Sequence, residues 1–380
     1  MISGRRLSHT LSIFPGSKMA NSHDNTRLVE LMDDQRSQKP SLRALKPVRR
    51  KGVSLSQEGM VQTGRLTPER PIPFVVEPLV DRIGPAAWAR ENPDMLDQLL
   101  LDHRAVLFRG FDVKTVNDFK DFVDATSNGE LLKYTDRSSP RYEMQDRIYV
   151  STIYPAEQRI NLHNEGTYWL TWPMKIFFCC LRAPDQGGET PIADVRKIFE
   201  RIAPGVRENF ITKGVMYVRN YNDGFGLTWQ EVFQATDRAS GEEYCRKNAI
   251  DFEWKDGNRL RTRQVRPAVR YHPRTGEAVW FNHASFFHIA SREPEVRRGL
   301  LGMFEELDLP YMTYYGDGSA IDPAVIARIN EAYEMEKVVF SWRAGDILML
   351  DNMSIAHGRE SYKGEREVVV AMAEPCLAGL

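Results

Sequence analysis

Only four of the 380 residues are cysteine (Cys179, Cys180, Cys245, Cys376), and no two are in C-x-x-C spacing. That argues against a disulfide framework and the usual paired-thiolate zinc motifs. Cys179 and Cys180 are neighbours in the apolar run IFFCCL. Free buried thiols are expected there, and a reducing cytoplasm suits them. No apolar run is long enough to span a bilayer. LSIF, behind Arg5 and Arg6, is too short for a signal peptide. The net charge is -1, so bulk electrostatics favour neither nucleic acid nor an anionic membrane as a partner. There is no H-E-x-x-H, no P-loop and no G-x-S-x-G, which excludes the helical zinc-protease arrangement and two common catalytic loops.

Apolar residues make up 42% of the chain and charged residues 27%, the balance of a globular protein. Residues 1–70 are polar and read as an extended or disordered segment. They contain KPVRRKGVSLS (Lys46 to Ser56), a basic run that would suit an acidic partner but reads first as a solvated tail. Residues 71–380 read as one domain. Helical spacing is expected over Pro85 to His103, Val116 to Ala125, Thr228 to Ala235, Gly241 to Asn248, Glu293 to Leu307 and Asp322 to Glu334, with a start near Asp194. Strands are expected at Pro71 to Val80, Ala105 to Phe108, Asp146 to Tyr154, Met174 to Leu181, Gly214 to Tyr221, Ala278 to Phe281, Val338 to Trp342, Ile347 to Asp351 and Glu367 to Ala373. A hairpin is expected around Asp256–Asn258. Many short strands without regular helix alternation predict a mainly β fold with peripheral helices, a jelly roll.

The eight histidines are few enough to be informative. His163 and Glu165 lie two apart in NLHNEG, so in an extended segment both side chains share one face. One imidazole and one carboxylate are two-thirds of the facial triad that holds Fe(II) and leaves positions open for oxygen chemistry. We place the third ligand at His357, in LMLDNMSIAHGRES. Such an iron needs a reductant, and a 2-oxo acid can chelate it through carboxylate and keto oxygen. The far carboxylate then needs a planar, bidentate cation. Arg366, shortly after His357 and just before a strand, suits that role; Arg359 is its rival.

These segments form an ordered set: HxE, GGET (Gly187 to Thr190), W-x-x-G-D-x-x-x-x-D-N-x-x-x-x-H (Trp342 to His357) and G-x-R (Gly364 to Arg366). In this set the chain resembles the taurine dioxygenase (TauD/TfdA) family of Fe(II)/2-oxoglutarate oxygenases, from about Pro71 onward. It is most similar to the clavaminate synthase-like and syringomycin-pathway hydroxylase-like branches, through HNE, TWPMKIFFCC, GGETPIADVR and NMSIAHGR. The resemblance implies a double-stranded β-helix, with iron on His163, Glu165 and His357 and 2-oxoglutarate on Thr190 and Arg366. It also implies consumption of O2, with succinate and CO2 formed as an unactivated C–H bond becomes an alcohol. Many members carry Asp where this chain has Glu165. Glu is the usual form in the clavaminate synthase-like branch; it keeps an iron ligand and so favours hydroxylation over halogenation, which would need a small residue there.

The expected substrate is an amino acid, free or bound to an acidic carrier protein, in specialised natural-product biosynthesis. Desaturation or cyclisation on the same iron is an alternative. A sulfonate dioxygenase is a weaker one, because the family's sulfonate arginine falls on Val370. A β-barrel binding module without activity is the non-enzyme reading. Substrate candidates are Tyr168 and Trp169, Asn282, His283 and His288 in FNHASFFH, and Arg266, Arg270 or Arg359 for a substrate carboxylate. Taken singly, each aromatic reads more readily as core and each arginine as surface. The sequence leaves the oligomeric state open.

Overall fold

The computed structural model describes residues 60–134, 136, 141–151, 154–221 and 225–378. The basic run Lys46 to Ser56, like everything expected of residues 1–59, lies outside the described residues.

The long apolar run becomes the strand Thr171–Arg182, central to an eight-stranded sheet. Its antiparallel neighbours are Ile347–Asp351 and Glu367–Leu377. Outward from these lie Ala105–Phe108, Arg70–Pro78 and Val61–Thr67 on one side, and Ile148–Val150 and Glu143–Gln145 on the other. The strand is apolar at nearly every position because both its faces are covered. Phe177 and Cys179 join Trp88, Leu96, Phe119 and Phe122 beneath the helices Pro85–Glu91, Pro93–His103 and Val116–Thr126. Ile176, Phe178 and Cys180 face the main core. Each such side chain contributes about 1.5–3 kcal/mol by leaving water.

Opposite that core face lies a three-stranded sheet, with Ile355–Arg359 between Ile160–His163 and Ile192–Asp194. The rings of Phe178 and His357, 4.9 Å apart, span the gap between the two sheets. Sheet against sheet, with helices outside, this is the expected mainly β, jelly-roll architecture, an open double-stranded β-helix rather than a closed barrel. A further four-stranded sheet orders Asp251–Trp254, Leu260–Arg266, Val215–Tyr221 and Tyr311–Tyr315.

Several local expectations change. The helix foreseen over Pro85 to His103 is two helices, because Pro93 has no N–H to continue the first and Asn92 leaves helical geometry (φ -131°). Val338 to Trp342 alternates buried and exposed residues as a strand would. Among the described residues its only ladder contact is an isolated bridge from Val338 to Ile192. Val61–Thr67 pairs with Arg70–Pro78, so a boundary at residue 70 would cut a hairpin. The ligand-bearing strands Ile160–His163 and Ile355–Arg359, and also Tyr311–Tyr315, were not foreseen.

Candidate metal centre and adjoining cavities

His357 sits mid-strand, and its register partner is His163, the last residue of the neighbouring strand. Directly opposed residues of an antiparallel pair have side chains close together, and here the ring centroids are 4.7 Å apart. Glu165 lies beyond the strand, so alternation along it does not aim the carboxylate. A clamp does. Asn352 accepts from the Glu165 backbone N–H at 2.8 Å and donates to the Glu165 carbonyl at 2.9 Å and to that of Pro173 at 2.8 Å. Asn164 donates to the Asn352 carbonyl at 2.7 Å, and the His283 ring nitrogen lies 2.8 Å from the Asn164 carbonyl. The result is that ligand atoms of His163, Glu165 and His357 all lie within 4.8 Å of one another.

The donor set fits a divalent metal of the iron type. His163 Nδ1 is 2.9 Å from the Asn161 carbonyl, so it carries the proton and leaves Nε2 as a ligand. Among the described residues, neither buried ring nitrogen of His357 has a hydrogen-bond partner, an arrangement that costs free energy unless something binds there. Burial pushes both imidazoles below the ordinary histidine range, with the Glu165 carboxylate partly opposing this at His163. Both are therefore neutral at pH 7, the form that binds metal. Arg141 donates to Glu165 Oε2 at 2.9 Å, and both side chains are 5% exposed. The guanidinium also stands 4.3 Å over the Tyr134 ring.

The remaining motif residues have structural work. Trp342 donates its indole N–H to Thr190 Oγ1 at 3.1 Å. Asp346 accepts from Arg109 at 2.7 Å, in a pair buried on both sides. Asp351 accepts from the backbone of Met353 and Ser354 and lies 2.8 Å from His272 Nε2.

A small cavity beside His357 is lined by Ser151, Thr190, Arg359 and Arg366. Arg366 donates to the Gly188 carbonyl at 2.9 Å and to Ser151 Oγ at 3.2 Å. Gly187 and Gly188 have φ of +69° and +70°, and a Cβ on Gly188 would lie 3.0 Å from Arg366 Cδ. Glycine is required there to let the chain turn under the arginine. Burial, with Arg359 beside it, pushes the Arg366 guanidinium down to about 10. Arg359, the rival, is buried and donates to the carbonyls of Tyr154, Pro155 and Gln158. It secures a loop, whereas Arg366 lines the cavity with no carboxylate partner among the described residues.

A larger cavity of about 340 Å³ opens on the other side of His163, walled by Phe286, Phe287, Tyr311 and Ile289, with Arg141, Arg159 and Arg292 among its lining. The proposed substrate residues mostly lie elsewhere. Tyr168 is buried and donates to the Asp136 carbonyl at 2.8 Å. Trp169 is core. Asn282 bonds the backbone of Ala268 and Ala284. His288 accepts from Ala290 N–H to cap a short 3-10 turn. Arg266 donates to the carbonyls of Tyr168 and Asn248. Arg270 stacks 4.2 Å over Trp172. His283 is 5.7 Å from His163, ring to ring, and buttresses the ligand loop. The FNHASFFH segment does reach the cavity, but through its phenylalanines. Sequence reasoning missed Arg141, Ser151 and Arg292. Nothing local marks them; only the fold brings them in.

Comparison with known proteins agrees with this geometry. The chain matches the taurine catabolism dioxygenase TauD, TfdA family over residues 70–372. It is 39% identical over 280 residues to the dapdiamide synthesis protein DdaC of Enterobacter agglomerans, covering 74% of this chain and 85% of that one. It is 27% identical over 316 residues to a clavaminate synthase-like protein of Arabidopsis thaliana, covering 80% and 90%. The crystal structure of PvcB from Pseudomonas aeruginosa shares the fold, with TM-score 0.50 and 16% identity over 85% of this chain and 94% of that one. The chain belongs to the TauD/TfdA family and is an Fe(II)- and 2-oxoglutarate-dependent oxygenase.

Proposed function

We propose that His163, Glu165 and His357 hold the iron, that Arg366 and Thr190 hold 2-oxoglutarate, and that the enzyme hydroxylates a C–H bond of an amino-acid-derived substrate in natural-product biosynthesis. The observation carrying this is the convergence of three ligand atoms within 4.8 Å beside a half-buried arginine without a carboxylate partner among the described residues. The biosynthetic role is supported by the 39% identical relative, whose name places it in dapdiamide synthesis.

The chain's own residues divide the task. Asn352 fixes where Glu165 starts, and Arg141 fixes where its carboxylate ends. The Asn161 carbonyl sets the His163 tautomer. Arg366 supplies the bidentate partner for the far carboxylate of 2-oxoglutarate. The Thr190 oxygen already accepts from Trp342, so its own proton is directed to a bound oxygen. Phe178 packs against the His357 ring and Phe286 against the His163 ring. When bound, iron with 2-oxoglutarate and O2 supplies the oxidising power that the side chains lack.

A sulfonate substrate is disfavoured, since Val370 is fully buried on the sheet opposite Phe178. The carrier-bound form of the substrate and an acidic carrier partner stay within this proposal, as does a cytoplasmic setting, which suits four free cysteines. Among the described residues no helix is long and apolar enough to cross a membrane.

The test is succinate formation by protein given Fe(II), ascorbate and 2-oxoglutarate and then air, against a panel of amino acids and their carrier-bound forms. Stimulation by one of them, absent in His163→Ala, is the expected result. No succinate from the wild-type protein would overturn the reading.

A further inference from the structure

The turn from Asp351 to Ser354 governs two of the three assigned ligands. Its second residue, Asn352, clamps the backbone of Glu165 and Pro173. Its end runs directly into the strand Ile355–Arg359, which carries His357. The Asp351 side chain sets the shape of this turn. Oδ1 accepts from the backbone N–H groups of Met353 and Ser354, each at 3.0 Å. Oδ2 lies 2.8 Å from His272 Nε2, and both side chains are buried. The Arg274 backbone N–H donates to His272 Nδ1 at 3.3 Å. Nδ1 is therefore the acceptor, and Nε2 carries the proton that it donates to Asp351.

His272 is itself fixed. It opens the turn between the strands Val269–Tyr271 and Ala278–Trp280. There its N–H donates to the Glu277 carbonyl at 2.9 Å, and its carbonyl accepts from Gly276 at 2.8 Å. Just beyond that hairpin, a His283 ring nitrogen lies 2.8 Å from the Asn164 carbonyl. One stretch of chain thus braces the ligand loop at two points, directly at Asn164 and through Asp351. A carboxylate bonded through one oxygen can swing about that contact. The second bond, charge-assisted and the shorter, fixes its plane and with it the backbone from which Asn352 reaches Glu165. Resting on the metal assignment above, we propose that His272 is a positioning residue of the metal centre, acting through Asp351 and Asn352 on Glu165. Partners standing behind a ligand in this way change metal affinity by roughly 10–100-fold.

The test is calorimetric titration of Mn(II) into apo-protein holding saturating 2-oxoglutarate, beside thermal unfolding of the same apo-proteins. A purely structural role would lower the unfolding midpoint and leave the affinity of the folded protein alone. His272→Leu is expected to weaken Mn(II) binding at least tenfold while still folded at the titration temperature. His272→Gln, which can present an amide N–H to Oδ2, should recover most of that loss. A loss below tenfold in His272→Leu, or His272→Gln binding no better than His272→Leu, would overturn the proposal. Where His272→Leu does not fold, Asp351→Asn decides by the same threshold. It keeps an oxygen for the two backbone N–H groups and removes the acceptor that His272 faces. His163→Ala tests the metal assignment separately. If it abolishes Mn(II) binding while His272→Leu binds like the wild type, only the positioning role falls. Binding retained in His163→Ala would overturn the metal assignment and the positioning role with it.

Discussion

Arg141 and Glu165 form an ion pair at 2.9 Å that is buried on both sides, and the carboxylate in it is the one assigned to the metal. Removing one partner of such a pair leaves a charge uncompensated and costs about 3–5 kcal/mol. Arg141→Leu is expected to lower the thermal midpoint and to weaken Fe(II) binding at least tenfold, with Arg141→Lys intermediate. Unfolding scans with and without Fe(II) check both. Wild-type iron affinity in Arg141→Leu would show that Asn352 alone positions the carboxylate.

His357 carries two buried ring nitrogens with no partner among the described residues, so metal should stabilise the fold rather than merely occupy it. At a free Mn(II) concentration of a hundred times Kd, linkage gives about 2.7 kcal/mol of stabilisation. Chelation is expected to remove that increment from the wild type. In His357→Ala, Mn(II) should shift the unfolding midpoint little or not at all, and succinate formation should be lost.

Gly188 is where backbone geometry meets the oxo-acid site. Alanine there faces a positive φ and a Cβ 2.7 Å from Pro184 and 3.0 Å from Arg366. Gly188→Ala should therefore displace the guanidinium. The expected signature is a KM for 2-oxoglutarate raised at least tenfold, with a smaller change in kcat at saturation. A change confined to kcat would separate this turn from 2-oxoglutarate binding.

Burial holds the His288 imidazole down at about 4, and its Nδ1 accepts a backbone N–H. The unfolded chain protonates this group near 6.5. Below 6.5 the unfolded state binds the extra proton and the folded state does not, so stability falls as pH drops. The loss is about 1.4 kcal/mol per pH unit until the folded value is reached. Urea unfolding at pH 4.5 and 7 should show this slope. His288→Asn keeps a cap acceptor without the titration and should flatten the slope by that amount.

The sequence made legible what is local or chemically costly. His163, Glu165 and His357 stand in short motifs, and the two glycines before Thr190 announce a turn that other residues would strain. The central strand declared itself by being apolar on both faces. The ligand strands did not, because Asn161, His163, His357 and Arg359 break every simple pattern. Val338 to Trp342 shows the converse: its alternation reflects burial alone, with almost no partner for its backbone. The substrate candidates fell short for one shared reason. Tyr168, Asn282, His288 and Arg270 are polar groups engaged elsewhere by backbone or rings, and a sequence does not show such engagements. Arg141, Ser151 and Arg292 are meaningful only once the fold places them at the cavities.

The cross-strand register of His163 with His357 also bears on the order of events during folding. These two residues are roughly two hundred positions apart in the chain, and contacts of such separation close late because the loop entropy must be met first. On this ground the metal centre is expected to close late in folding and not to nucleate it. Variants that lose the metal should then still collapse at the wild-type rate, which stopped-flow refolding with and without Fe(II) would check.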